Sequence, residues 1–159
     1  MKVTLITATY NSQKYLEDCI TSVIRQGYKD IEHIIVDGKS SDNTVDIIKK
    51  YESHIAWWVS ETDRGMYDAI NKGMKMATGD IIGILNSDDM LDSDDVIESI
   101  VKAFNEKNVD SIYGDLEYVD PDDTNKIYRI WKGKPYSRNL FRFGWMPAHP
   151  TFHFKRVLL

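Results

Sequence analysis

Four times before residue 90, a strand-like run of five or six largely apolar residues stops abruptly at a polar cluster. Val3 to Ala8 ends at Thr9-Tyr10-Asn11-Ser12, Ile31 to Val36 at Asp37, Ile55 to Val59 just before Glu61, and Ile81 to Leu85 at Asn86-Ser87-Asp88-Asp89. Each run is followed by apolar residues at helical spacing: Tyr15, Leu16, Cys19, Ile20, Val23, Ile24; then Val45, Ile48, Tyr51; then Met66, Ile70, Met74, Ala77; then Val96, Ile97, Ile100, Val101, Phe104. Short apolar runs alternating with amphipathic helices predict βαβ units, hence an α/β fold with a Rossmann-like, mostly parallel sheet flanked by helices. Asn11 or Ser12 is the expected N-cap of the first helix and Gly27 its stop, with Asp92 or Ser93 capping the fourth. Met66 and Met74 of the third helix are expected to face the core.

The alternation breaks near the C-terminal end. A strand is expected at 110–114, and the segments 116–119 and 126–131 flank Asp120-Pro121-Asp122-Asp123-Thr124-Asn125, which predicts a small β-hairpin with an acidic tip. No linker, repeat or low-complexity tract divides the chain, so 159 residues read as a single domain, 1–159. No apolar run approaches the ~20 residues of a membrane span. The start of the chain does not read as a signal peptide. Cys19 is the only cysteine. It excludes an internal disulfide, lies in the apolar stripe of a helix, and fits a reducing, cytoplasmic setting.

Charge is distributed unevenly. After Asp123 there are eight basic residues and no acidic one, whereas the rest of the chain carries 12 basic and 25 acidic side chains. A basic tail interleaved with Trp131, Tyr136, Phe141, Phe143, Trp145, Phe152 and Phe154 predicts an anionic partner at that end. It can serve as an acceptor platform or touch a membrane interface, although no amphipathic helix is evident. No nucleic-acid motif accompanies it, so nucleic acid is not expected as a partner.

In open α/β sheets ligands sit outside the carboxyl ends of the strands. There the sequence places Asp37 and the paired Asp88 and Asp89. Carboxylates with Asn86 and Ser87 beside them are hard oxygen ligands suited to Mg2+ or Mn2+ shared with substrate phosphates, or else they form a solvated turn. Asp37 can accept from the ring N–H of a nucleobase or merely shape the turn at Gly38, and Ser40 to Thr44 read as capping residues. Asp63 and Arg64 precede a helix N-terminus, which attracts anions. Arg64 steadies a phosphate or forms a surface ion pair. Neither G-x-G-x-x-G nor a P-loop is present.

Five segments taken in order resemble the nucleotide-sugar-binding part of family 2 glycosyltransferases with the GT-A fold: Thr7 to Asn11, Ile35 to Thr44, Glu61 to Gly65, Asn71 to Gly73 with Ala77 to Asp80, and Leu85 to Asp89. The string Tyr67 to Gly73 is similar to bacterial members that build surface polysaccharides. The resemblance implies that Thr9, with Asn11 beside it, contacts the nucleoside and that Asp37 holds the base, usually uracil. It places Asp63 and Arg64 in the donor pocket, and Asn86-Ser87-Asp88 at the Asp-x-Asp motif with Asp88 as metal ligand. His149 matches a histidine that reaches the diphosphate or metal, or is a structural histidine. Two departures stand out. Asn86 replaces a carboxylate, and Gly38 replaces a second acidic residue common after the base-binding Asp.

The implied activity is inverting, metal-assisted transfer of a sugar from a nucleotide sugar, UDP-linked by the resemblance, to a glycan or lipid-linked acceptor at the inner face of the membrane. Displacement of that kind needs a carboxylate base for the acceptor hydroxyl. The family's base lies C-terminal to the basic-aromatic region, which implies a chain truncated at its C-terminus. Asp115 is the one internal candidate, with a turn role as the alternative. The competing expectations are a nucleotide-sugar-binding module without turnover and, further off, a nucleotidyltransferase.

Overall fold

The computed structural model describes residues 1–159. Its main sheet has six strands in the order β3-β2-β1-β4-β8-β5. β1 (Val3–Thr9), β2 (Ile31–Asp37), β3 (Trp57–Ser60) and β4 (Ile81–Ile84) are parallel. They are joined by α1 (Leu16–Ile24), α2 (Thr44–Lys50) and α3 (Met66–Met76), and α4 (Val96–Lys107) follows β4. The chain order of strands reverses at β1, between β2 and β4. That reversal puts a crevice above β1, at the carboxyl ends of the strands.

Side chains alternate across the sheet and sort the core into layers. Val3, Leu5, Ile81 and Leu85 meet Cys19 and Val23 of α1 and Ile97, Val101 and Phe104 of α4. Ile35 meets Leu16, Ile20 and Ile48 on the same side. On the opposite face Ile6, Ile34, Val36 and Ile82 receive Ala69 of α3 and Ala77, the residue that follows the helix. That approach is close: a Cβ on Gly73 would lie 2.5 Å from Ile6 Cγ2. Small residues on α3 let the helix lie nearly against the strands.

Several expected boundaries moved. α1 starts at Leu16 with no side-chain cap, and Ser12 contributes its carbonyl to the Tyr15 and Leu16 N–H groups. Asn11, at φ 50°, is a bridge between loops rather than a cap. α4 begins at Val96. Ser93 Oγ turns to Asp95 Oδ1 (2.6 Å), and Gln26 Oε1, just past the end of the neighbouring α1, accepts the Ile97 N–H at 3.1 Å. The helix end is satisfied from another element, so a local pattern could not show it. Met66 is 46 % exposed and does not join the core, whereas Met74 packs against it.

The hairpin forms as β6 (Leu116–Val119) and β7 (Ile127–Trp131), apart from the main sheet. The strand expected at 110–114 is reduced to β5 (Ser111–Ile112). Between it and β4 lies β8 (His153–Lys155), antiparallel to both. In the aromatic tail Trp145 stacks edge-to-face on Phe141 and on Tyr113 from ahead of the hairpin, with centroids 5.5 and 5.9 Å apart. Phe154 packs on the core. No helix is long and apolar enough to cross a membrane.

Candidate active site

A cleft of about 500 Å³ opens at the carboxyl edge of the sheet. Its walls come from four separate places along the chain: Thr9 at the end of β1 with Tyr10 and Ser12 after it, Gly38 after β2, Thr62, Asp63 and Gly65 before α3, and Ser87 after β4. Met66 and Ala69 of α3 close one side. Gly65 takes φ 110°, a conformation that side-chain-bearing residues rarely adopt, and so turns the N-terminus of the 11-residue α3 to the cleft.

Of the residues singled out from sequence, Thr9, Asp63 and Ser87 line this space together. Thr9 is 4 % exposed and its Oγ1 has no hydrogen-bond partner. A buried hydroxyl without a partner is uncommon and costly, and this one belongs to a residue that lines the cleft. Asp63 Oδ1 accepts the Gly65 N–H at 2.8 Å. Ser87 Oγ meets Ser12 Oγ at 2.9 Å, tying the loop after β4 to the loop after β1. Arg64 is exposed between two lining residues, and its guanidinium enters none of the eight ion pairs. It is not held in the surface pair that was its alternative.

Asp37 sits at the end of β2, opposite Thr9, and is fully buried. Its carboxylate accepts from Ser40 Oγ, from the Ser40 N–H at 3.0 Å and from Ser60 Oγ at 2.5 Å. Ser40 is therefore more than a capping residue. Asn11 Oδ1 accepts the Ser41 N–H at 2.9 Å while the Asn11 N–H donates to Ser40 Oγ at 2.8 Å, bracing the loop that holds Asp37. Neither Asp37 nor Asn11 lines the cleft.

The loop after β4 separates its two carboxylates. Asp88 is exposed. Asp89 is half-buried and accepts from Asn86 Nδ2 at 2.7 Å. Burial pushes the Asp89 carboxyl up against the pull of that bond; Asp88 adds to the rise, and the charge of nearby His149 opposes it. Asn86 thus faces inward to Asp89. His149 is exposed at the start of a short 3-10 turn and reaches the neighbourhood of this loop. Asp115 closes the hairpin instead, with Oδ1 on the Gly133 N–H at 2.8 Å.

No group of three or more His, Cys, Asp or Glu side chains is disposed to hold a metal alone. An exposed Asp88 beside a cleft fits Mg2+ or Mn2+, ions that take one or two carboxylates and fill their shells with phosphate and water. Tyr10, Thr62, Gly38 and Met66 were not foreseen as lining residues. Their only signal was adjacency to a strand end or a helix start.

Residues 4–157 match the family described as Glycosyl transferase family 2. The chain belongs to glycosyl transferase family 2. An uncharacterized glycosyltransferase of Mycobacterium tuberculosis is 38% identical over 114 residues, covering 70% of this chain and 44% of that protein. In structure, Staphylococcus aureus TarS bound to UDP-GlcNAc superposes with a TM-score of 0.78 at 22% identity, over 100% of this chain and 46% of TarS. A Pyrobaculum calidifontis mannosyltransferase bound to GDP-Man and Mn2+ gives 0.72 at 24%, over 99% and 45%. The GT-A fold expected of a family 2 member is thus present, and this chain spans under half the length of these relatives.

Proposed function

We propose that the cleft binds a nucleoside diphosphate sugar, with uridine as the nucleoside, and that the protein transfers the sugar with inversion to a glycan or lipid-linked acceptor, assisted by Mg2+ or Mn2+. One arrangement supports this above all. Thr9, Asp63 and Ser87 arrive from three separate segments at one cleft, with a helix N-terminus opening into it and exposed Asp88 next to Ser87. The unpartnered Thr9 hydroxyl and the Asp63 carboxylate offer polar contacts to a nucleoside. The N–H groups at the start of α3 and the Arg64 guanidinium suit the diphosphate. Asp88 would hold the divalent ion together with diphosphate oxygens, and His149 lies on the side from which it can approach them. When bound, the ion offsets the charge that builds on the diphosphate as the glycosidic bond breaks. The basic tail and exposed Tyr136, Phe141, Phe143 and Met146 support an acceptor or lipid surface on that side, at the cytoplasmic face of a membrane.

A second reading is supported by the carboxylates. Asp115 is engaged at the hairpin, and the sequence after Asp123 contains none. With no general base for the acceptor hydroxyl, the chain would bind donor without turnover. Calorimetry with UDP, with and without Mn2+, tests the shared part. UDP should bind only with the metal, and Asp88→Ala should weaken binding by at least about tenfold while the melting temperature is kept. Equal affinity in Asp88→Ala would overturn the assignment. Sugar release from a panel of UDP-sugars by this chain would exclude the second reading.

A further inference from the structure

The hairpin carries a cation that no acidic side chain pairs. The register sets Tyr118 opposite Arg129 and Leu116 opposite Trp131, so these four side chains share one face, while Glu117 and its partner Ile130 lie on the other. Arg129 Cζ stands 5.5 Å from the centroid of the Tyr118 ring and 5.6 Å from that of Trp131. Both lie within the ~6 Å at which an aromatic face attracts a cation. Stacking restrains the guanidinium and leaves its N–H edge free, because Arg129 enters none of the eight ion pairs and donates no side-chain hydrogen bond. Lys126, the other stacked cation of this hairpin, differs. It lies 5.0 Å from the Tyr128 ring and is neutralised by Asp120 at 3.0 Å.

The base of the hairpin is tied toward the loop that carries Asp88. Asp115 Oδ1 accepts the Gly133 N–H at 2.8 Å, and the Tyr113 hydroxyl donates to the Lys134 carbonyl at 2.7 Å. The Gly114 N–H donates to Thr151 Oγ1 at 3.2 Å, and that hydroxyl donates to the Ala148 carbonyl at 2.8 Å. Thr151 ends the turn that His149 begins, and the charge of His149 acts on Asp89. One hydrogen-bonded turn therefore separates the hairpin base from the Asp88 loop, on the acceptor side of the proposed site.

We propose that Arg129, held between Tyr118 and Trp131, grips a carboxylate or phosphate carried by the acceptor, so that the glycan this protein extends is an anionic one. A planar guanidinium offers parallel N–H bonds to either group, and its restraint between two rings lowers the cost of ordering it on binding. No acid on this face opposes the contact, and none follows Asp123 in the chain. A bilayer suits the same charge less well. Interfacial anchoring needs apolar side chains that stand clear of the cation, whereas here Trp131 is half-buried and both rings are turned to the guanidinium. This deepens the sugar-transfer reading and rests on it.

Calorimetry on the whole chain at low salt, with and without UDP and Mn2+, tests the site with a galacturonate oligosaccharide, a phosphorylated maltooligosaccharide, the plain maltooligosaccharide and phosphatidylglycerol vesicles. Both anionic glycans should bind at least about tenfold more tightly than the neutral one. Arg129→Gln should remove that preference. Arg129→Lys should still lose at least about threefold, because an ammonium keeps the charge without the fork, and Tyr118→Leu should lose a similar amount by freeing the guanidinium. Lys102→Gln, which removes an exposed charge on α4, should stay within about twofold of the parent. Melting temperatures verify that each variant folds. Equal binding of charged and neutral glycans, or an Arg129→Gln chain that keeps the preference, would overturn the proposal while the donor reading stands. Vesicle binding that depends on Arg129, without glycan binding, would overturn it in favour of a lipid surface. Glycan binding that depends on Arg129 in a chain that takes no UDP with Mn2+ would overturn the donor reading, and with it the acceptor role of this site.

Discussion

Asp37, Asp88 and Asp89 are three strand-end carboxylates in three different circumstances, and burial and partners separate them. Asp88 faces solvent, Asp89 is drawn inward by Asn86, and Asp37 is enclosed by two serines. Sequence could mark all three as acids at the ends of strands. It could suggest Ser40 as a partner of Asp37, since a short polar side chain three residues on reaches back across a turn. It could not suggest Ser60, which arrives from the end of β3 as the register partner of Asp37. Removing the Asp37 side chain leaves the Ser40 N–H and two hydroxyls without their acceptor. Asp37→Ala should therefore cost about 2 kcal/mol in denaturant unfolding as well as weakening UDP. Asp37→Asn, which keeps an acceptor oxygen, should retain more of both. An Asp37→Ala variant of parental stability would show that the two serines find water instead.

At the scale of elements, α1 holds the loop that carries Asp88. Buried Cys19 and Ser22 of the helix, with buried Gln26 just past its end, follow one another at spacings of three and four and meet the connection between β4 and α4. Cys19 Sγ approaches the Asn86 carbonyl at 3.5 Å, Ser22 Oγ accepts the Leu91 N–H at 3.1 Å, and Gln26 takes both the Ser93 carbonyl (2.6 Å) and the Ile97 N–H. The helix itself was legible, because its apolar stripe has a clear period. The polar stripe was not, since Ser22 and Gln26 belong to residue types that usually face water. Gln26→Leu would leave a buried N–H and a carbonyl unpaired, a loss of about 2 kcal/mol, or about 5 °C in melting temperature for a domain of this size. Amide exchange should accelerate at Ile97 and Ser99 while Val36 in the central β2 keeps its protection. Unchanged exchange at Ile97 would mean that α4 needs no help from α1.

The molecule as a whole is divided by the sheet into a polar carboxyl edge that carries the cleft and an amino edge held by a buried ionic cluster. At that second edge Glu32, 7 % exposed, accepts from Lys2 Nζ at 2.8 Å, Thr4 Oγ1 at 2.6 Å, and the Thr78 N–H and hydroxyl at 2.8 and 2.6 Å. These partners are far apart in sequence, as are β8 and its neighbours β4 and β5, which is why neither the cluster nor the antiparallel strand was legible in advance. Local periodicity reports faces and ends of elements, not which distant segments meet. The cluster has a measurable signature in acid. Burial alone would raise the Glu32 carboxyl, but its bonds to Lys2, Thr4 and Thr78 outweigh burial and hold it at about 2. His33, buried in the same strand with Nε2 3.0 Å from Thr7 Oγ1, is pushed by burial down to about 4. Both groups bind protons more weakly folded than unfolded, so both contribute stability at neutral pH that is lost as pH falls. The His33 share disappears between its ordinary 6.5 and about 4, and the Glu32 share between its ordinary 4.5 and about 2. His153, also buried and shifted down by burial, adds to the first window. Melting temperature should accordingly fall in two stages on acidification. His33→Gln should flatten the stage above pH 4, by at most about 3 kcal/mol. Glu32→Gln should lower stability at pH 7 and leave little further loss below pH 4. A His33→Gln variant with the parental slope between pH 6.5 and pH 4 would assign that stage to other groups and leave His33 able to take up a proton within the fold.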